Sequence, residues 1–118
     1  MPISQIKNKD RNLGDIAEGA KIHWDVDSNV SSTLGCAVSE LEEVEFEWTV
    51  TYDEYLHCIS GRLTVETREG EFSLDPGDGL FLPEGTWLVY KAKEKTRFLV
   101  AVYPMAAVPS EVVPGARD

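Results

Sequence analysis

Apolar and polar residues alternate with a period of two through Val44-Glu45-Phe46-Glu47-Trp48, which predicts a strand with one dry face and one wet face. Other short runs rich in β-branched and aromatic residues predict strands near Lys21–Asp25, Thr33–Leu41, Glu43–Thr51, Tyr55–Ser60, Leu63–Arg68, Glu71–Leu74, Gly79–Leu82, Trp87–Ala92 and Arg97–Tyr103. Turn residues separate them: Ser60-Gly61, Glu69-Gly70, Pro76-Gly77-Asp78-Gly79 and Pro83-Glu84-Gly85. Pro76-Gly77 suits a type II turn, with Asp75 or Asp78 accepting bonds from its free amides. No segment after Leu41 has a helical period of useful length. Many short strands at regular spacing predict an all-β sandwich or barrel, and a two-sheet jelly roll accounts for the spacing. Residues 1–19 read as a polar arm with at most a short helical turn, 20–105 as the β domain, and 106–118 as an extended tail carrying two prolines and a glycine.

The 118 residues are enough for one domain with a modest core. A formal charge of −10 argues against nucleic acid and against anionic membrane surfaces. No stretch approaches the ~20 apolar residues of a membrane span, so a cytoplasmic protein is expected. Cys36 and Cys58 form no C-x-x-C pair and read as buried thiols rather than a disulfide framework. There is no G-x-x-x-x-G-K-[ST] phosphate loop, no G-x-G-x-x-G after a strand and no G-x-S-x-G elbow. Cys58 and His57 are neighbours on a strand, where their side chains point apart, which argues against a nucleophilic pair.

With these turns placed, the chain resembles the cupin superfamily. Glu54 to Gly61 matches the E-x6-G that ends the first cupin motif, and Gly77, Pro83 and Gly85 match the G-x5-P-x-G that begins the second. Within that superfamily it resembles the EutQ-like family, named for an ethanolamine-utilisation protein. The segments FEWTVTYDEYLHCISGRLTVE, GDGLFLPEGT and FLVAVYP carry this likeness. The resemblance implies a single-domain cupin jelly-roll β-barrel, a homodimer paired through edge strands or a crossing N-terminal arm, and a link to ethanolamine metabolism. Acetate kinase activity is associated with the EutQ name, although the usual phosphate-binding motifs are missing here.

A metal-binding cupin supplies H-x-H, a glutamate and a third histidine, a donor set suited to transition metals. Here the H-x-H positions fall on Glu47 and Thr49, or on Trp48 and Val50 if the motif's gap is one residue shorter. The third histidine position falls on Leu88, and only Glu54 is retained. No cofactor is therefore expected. A divalent metal held by Glu47 and Glu54 is the alternative if the longer register holds. Glu54 is the candidate catalytic group: facing the barrel it would be desolvated, its pKa raised, and it could serve as general acid or base. Its other reading is structural, as the partner of a tyrosine or of backbone amides. Asp53 falls on the opposite face and reads as a turn cap or surface residue.

His57 alternates away from Glu54 and should face outward, toward a subunit interface, and His23 lies on an early strand beside Trp24 with no spacing motif. Trp48, Tyr52, Trp87, Tyr90 and Tyr103 come from strands that line the barrel in cupins, either as cavity wall or as plain core; alternation from Leu88 turns Tyr90 inward and Trp87 outward. The resulting expectation is a small polar metabolite bound in the barrel by Glu47, Thr49, Tyr52 and Tyr90, with metal-independent chemistry at Glu54. A non-catalytic binding or accessory module is the alternative.

Overall fold

The computed structural model describes residues 3–114. Ten strands follow in chain order: β1 Gly14–Ala17, β2 Ala20–Val26, β3 Gly35–Leu41, β4 Val44–Thr49, β5 Asp53–Ser60, β6 Leu63–Thr67, β7 Gly70–Leu74, β8 Gly79–Leu82, β9 Trp87–Ala92 and β10 Thr96–Tyr103. They form a six-stranded sheet ordered β1-β2-β3-β10-β5-β8 and a four-stranded sheet ordered β4-β9-β6-β7. From β4 onward the chain crosses repeatedly between the sheets, apart from the β6–β7 hairpin, so most strands find a partner far away in sequence. That is the jelly-roll wrap, and it leaves an interior between two antiparallel faces.

Alternation builds that interior. In β4, Phe46 and Trp48 face in while Glu45, Glu47 and Thr49 are exposed. In β10, Thr96, Phe98, Val100 and Val102 are buried, and in β5 Glu54, Leu56 and Cys58. Leu56, Leu63, Leu88, Val50 and Val65 are fully buried at its centre. Burial of each stabilises the fold by about 1.5–3 kcal/mol over exposure.

The turns hold the two sheets in place. Gly77 (φ +95°) donates its N–H to Cys58 O at 2.8 Å, and Asp78 Oδ2 accepts from Asp75 N–H at 2.9 Å. Gly85 N–H reaches Val50 O at 2.7 Å, and Val50 N–H reaches Thr86 O at 3.0 Å. Asp53 caps the same turn by accepting from Glu84 N–H at 2.9 Å. The proline-glycine turns thus clamp β5 and the β4–β5 connection, which carry Tyr52 and Glu54.

Both ends differ from expectation. The arm contains a 3-10 turn, Asn8–Asp10, and then β1, whose hairpin with β2 turns on Gly19 at φ +80°. Strand β1 is only four residues long and polar at Asp15, so its alternation was too brief to read. Beyond β10 the chain does not run extended. It folds into 3-10 turns at Met105–Ala107 and Ser110–Val112, with Met105 and Val112 buried. Pro104 and Pro109 start the two turns, and apolar burial of Met105 and Val112 holds them on the barrel. Tail residues 115–118 lie outside the described residues. No helix among the described residues is long and apolar enough to cross a membrane.

Two turn glycines separate backbone strain from steric conflict. A Cβ on Gly61 (φ +79°) would meet Lys95 O at 2.6 Å and Thr96 Cα at 2.8 Å, whereas one on Gly85 (φ +92°) would meet nothing within 4 Å. Chemical denaturation should show Gly61→Ala losing more than about 2 kcal/mol and Gly85→Ala about 1 kcal/mol.

Candidate functional site

A narrow cavity lies between the sheets at one end of the barrel, with a volume of about 40 Å³. Its lining is largely aromatic, including Trp24, Phe46, Trp48, Tyr52, Tyr90 and Phe98, and contains a single ionisable acid, Glu54. The rings pack on one another: Phe46 and Trp48 at 6.0 Å between centroids, Phe46 and Tyr90 at 6.3 Å, Tyr90 and Phe98 at 6.2 Å. These are offset and tilted contacts typical of a rigid aromatic wall.

Glu54 enters from β5 in the large sheet and is 3% exposed. Tyr90 enters from β9 in the small sheet and donates its O–H to Glu54 Oε2 at 2.5 Å. Tyr52, one residue before β5, accepts from Trp48 Nε1–H at 3.0 Å. That bond occupies a lone pair of the Tyr52 oxygen and leaves its own proton free to point elsewhere. Among the described residues no acceptor takes that proton, and Glu54 Oε1 has no hydrogen-bond partner. Two polar groups therefore remain unspent beside an otherwise apolar wall.

Burial sets the electrostatics. Desolvation pushes the Glu54 carboxyl up to about 7, with the Tyr90 hydrogen bond pulling the other way. Desolvation and the nearby Glu54 charge hold both tyrosine hydroxyls above their ordinary range, so they stay protonated. Glu54 is thus the cavity group that changes charge near neutrality.

The expected site residues divide. Tyr52, Glu54 and Tyr90 meet in the cavity. Glu47 and Thr49 do not: both are exposed on the outer face of β4, because Trp48 takes the inward position between them. Glu47 Oε2 instead accepts from Trp87 Nε1–H at 2.7 Å on the barrel's outside, where Arg68 lies 4.7 Å over the Trp87 ring. The shorter motif register is the one adopted, so the histidine positions of a metal cupin are filled by Trp48, Val50 and Leu88. None of these donates to a metal, and a shared Glu47–Glu54 site is ruled out by their opposite faces. Among the described residues no group of three or more His, Cys, Asp or Glu is placed to hold a metal ion. The residues at this position do not fit one.

Tyr103 also departs from expectation: it is 58% exposed and outside the barrel. Tyr90 turns inward and Trp87 outward, as alternation from Leu88 required. His57 faces outward, 3.1 Å from the Tyr55 hydroxyl through Nδ1, while His23 sits 3.7 Å from Asp25, which Arg11 grips at 2.9 and 2.7 Å. Cys36 and Cys58 are free thiols, but only Cys58 is buried; Cys36 is half-buried on the outer face of β3. Sequence reasoning missed Phe46, Trp24 and Val112 as lining. Phe46 carried a signal, since it alternates in phase with Trp48. Val112 carried none.

Comparison with known proteins places this geometry in a class. The fold matches an RmlC-like cupin from Shewanella frigidimarina NCIMB 400, with a TM-score of 0.72 at 14% identity, covering 84% of this chain and 88% of the other. It also matches a putative ethanolamine utilization protein Q from Salmonella typhimurium LT2, with a TM-score of 0.80 at 21% identity over 87% of each chain. The architecture is that of a cupin jelly roll. More narrowly, the sequence pattern of the ethanolamine utilisation protein EutQ family matches residues 3–108, and the chain belongs to that family. A curated relative, acetate kinase EutQ of Clostridioides difficile (strain 630), is 32% identical over 74 residues, or 63% of this chain. The chain spans about half the length of that relative, 47%.

The raised Glu54 pKa makes a stability prediction. The folded carboxyl holds its proton up to about 7, whereas the unfolded one releases it near 4.5. Between those values the folded state binds more protons, so this contribution is complete below about pH 4.5 and is lost as pH rises through about 7. Glu54→Gln should remove that slope. Denaturation across pH 4–8 should show the variant gaining on the parent by roughly 3 kcal/mol over the range.

Proposed function

We propose that the cavity around Glu54 binds a small polar metabolite and that Glu54 acts there as a metal-independent general acid and base. The observation that supports this reading most is the state of Glu54 itself. The Glu54 carboxyl, 3% exposed, has one oxygen tied to Tyr90, while the other has no protein partner and is not sealed from solvent, beside the Tyr52 hydroxyl. A carboxyl with a pKa near neutrality can take a proton from a substrate carbon or oxygen and return it to another position, as in an isomerase, or pass it to the leaving group as the bond to that group breaks and a double bond forms, as in a lyase. Tyr90 stabilises the ionised form. Tyr52, held by Trp48, offers a donor for a substrate oxygen. Family membership suggests that the metabolite belongs to ethanolamine utilisation.

Phosphoryl transfer fits this cavity less well. Its described lining holds no lysine or arginine, and a transferred phosphoryl group needs cations to balance its charge. The kinase activity named for the longer relatives is therefore not assigned to this pocket.

A second feature supports self-association. On the outer face of the large sheet, Phe81, Tyr55 and Ala101 form a cross-strand row from β8 through β5 to β10. Phe81 is 59% and Tyr55 40% exposed, with Ile59 and Tyr103 also exposed on this face. Charge repulsion between copies of a chain carrying −10 is weakest where apolar side chains cluster, and this row has no charged side chain, Asp53 standing at its margin. We propose that two copies pair here.

Both readings can be checked on purified protein. Turnover of a metabolite mixture, followed by NMR, should fall by about 10²–10⁴ in Glu54→Gln with the fold intact. The parent's rate should rise with pH through about 7 if the carboxylate is the base. Unchanged turnover in Glu54→Gln sinks the catalytic role. Calorimetric binding of the same mixture without any product would favour a binding module instead. For self-association, sedimentation velocity should report a dimer for the parent and a monomer for Phe81→Glu.

A further inference from the structure

One wall of the cavity is built differently from the rest. Trp24, Phe46, Trp48, Glu54 and Tyr90 stand on strands locked in hydrogen-bonded ladders. Val112, which also lines the cavity, stands on the second 3-10 turn after β10. The segment from Pro104 to Val113 crosses the barrel mouth as a strap. Its internal hydrogen bonds are local: Ala107 N–H to Pro104 O, Val108 to Met105, Val112 to Pro109 and Val113 to Ser110. Such bonds travel with the strap if it moves as a unit.

The two halves of the strap are fastened unequally. The first half is anchored: Met105 is 3% exposed and donates its N–H to Thr33 O at 2.9 Å. The second half is tied to the barrel by side chains, through Thr51 Oγ1–H to Ala107 O at 2.8 Å, Trp24 Nε1–H to Val112 O at 2.7 Å and the apolar packing of Val108, Val112 and Val113. Trp24 also forms part of the cavity wall, so the residue that holds the strap is one a bound ligand would touch.

Space requires something to move. A cavity of about 40 Å³ has room for a few water molecules at most. A metabolite larger than that must displace a wall, and strand ladders resist displacement more than a strap fastened by side-chain bonds and by the apolar packing of Val108, Val112 and Val113. We propose that residues 107–113 form the gate of this cavity, lifting about the Met105 anchor, with the Trp24–Val112 hydrogen bond as the latch. The purpose of the gate rests on the ligand-site reading above, but its opening can be measured without any ligand.

Hydrogen exchange on the full chain is the first test. Trp24→Phe keeps a ring in place and removes the donor, and should speed exchange of the amides at 107–113 by about fivefold or more, with β3 and β10 unchanged. The second test uses Trp87→Phe, which leaves Trp24 and Trp48, both in the cavity wall, as reporters. Adding Thr51→Val and Val112→Ala should raise quenching of their fluorescence by acrylamide about twofold or more. Unchanged strap exchange in Trp24→Phe overturns the latch. Faster strap exchange without a gain in quenching overturns the gate. So does quenching that rises only together with exchange throughout β3 and β10, which would mean global opening. If both measurements succeed while Glu54→Gln retains full turnover, the gate stands and the acid-base reading falls.

Discussion

A carboxyl group placed between two apolar sheets costs free energy unless a donor meets it, and here Tyr90 meets Glu54 at 2.5 Å. The bond joins β9 of the small sheet to β5 of the large one, so it also ties the two layers together beside the cavity. Its partners are set by opposite demands. Desolvation favours the neutral acid, while the tyrosine donor favours the carboxylate. The balance raises the Glu54 carboxyl to about 7. Both tyrosines stay protonated because burial and the adjacent carboxylate hold their pKa values up. Trp48 then fixes Tyr52 from one side and leaves its proton available on the other.

The surrounding barrel serves this arrangement through its turns. Gly77 and Gly85, both at positive φ, bring loop amides onto Cys58 and Val50, and Asp53 caps the second loop. These bonds hold the residues on either side of Tyr52 and Glu54. A frame of turn residues can therefore persist while the inward positions of a metal cupin are replaced by Trp48, Val50 and Leu88. The frame answers to backbone geometry. The inward positions answer to whatever occupies the cavity, and here that is aromatic surface with one acid.

Particular residues show how far sequence reasoning reaches. Glu54, Tyr90 and the outward His57 were legible because period-two alternation has one phase within a strand, and Glu54 or Leu88 anchors that phase. Glu47 and Thr49 were misplaced because two motif registers differing by one residue send opposite faces inward. Choosing between them needs the cross-strand pairing of Trp48 with Leu88, a contact forty residues apart. Tyr103 was drawn into the cavity by its family position, yet it ends β10 on the outer face, two residues on from Ala101 in the apolar row. The strap was unreadable for a different reason. Its alanines, valines and prolines have local preferences that conflict with one another, and packing against the barrel selects the outcome.

The sequence by itself determined the fold class, the turn frame and the absence of histidines where a metal cupin carries them. Each of these rests on local physics: alternation, the φ > 0 positions that glycine tolerates, and residue identity. The tertiary structure alone decided which face of β4 points inward, that the second oxygen of Glu54 is left without a protein partner, and that Val112 of the C-terminal segment lines the cavity. These depend on strand pairs and side-chain contacts between distant parts of the chain, such as Trp24 with Val112 and Tyr90 with Glu54. Distance along the chain hides such pairs until the two sheets are brought face to face.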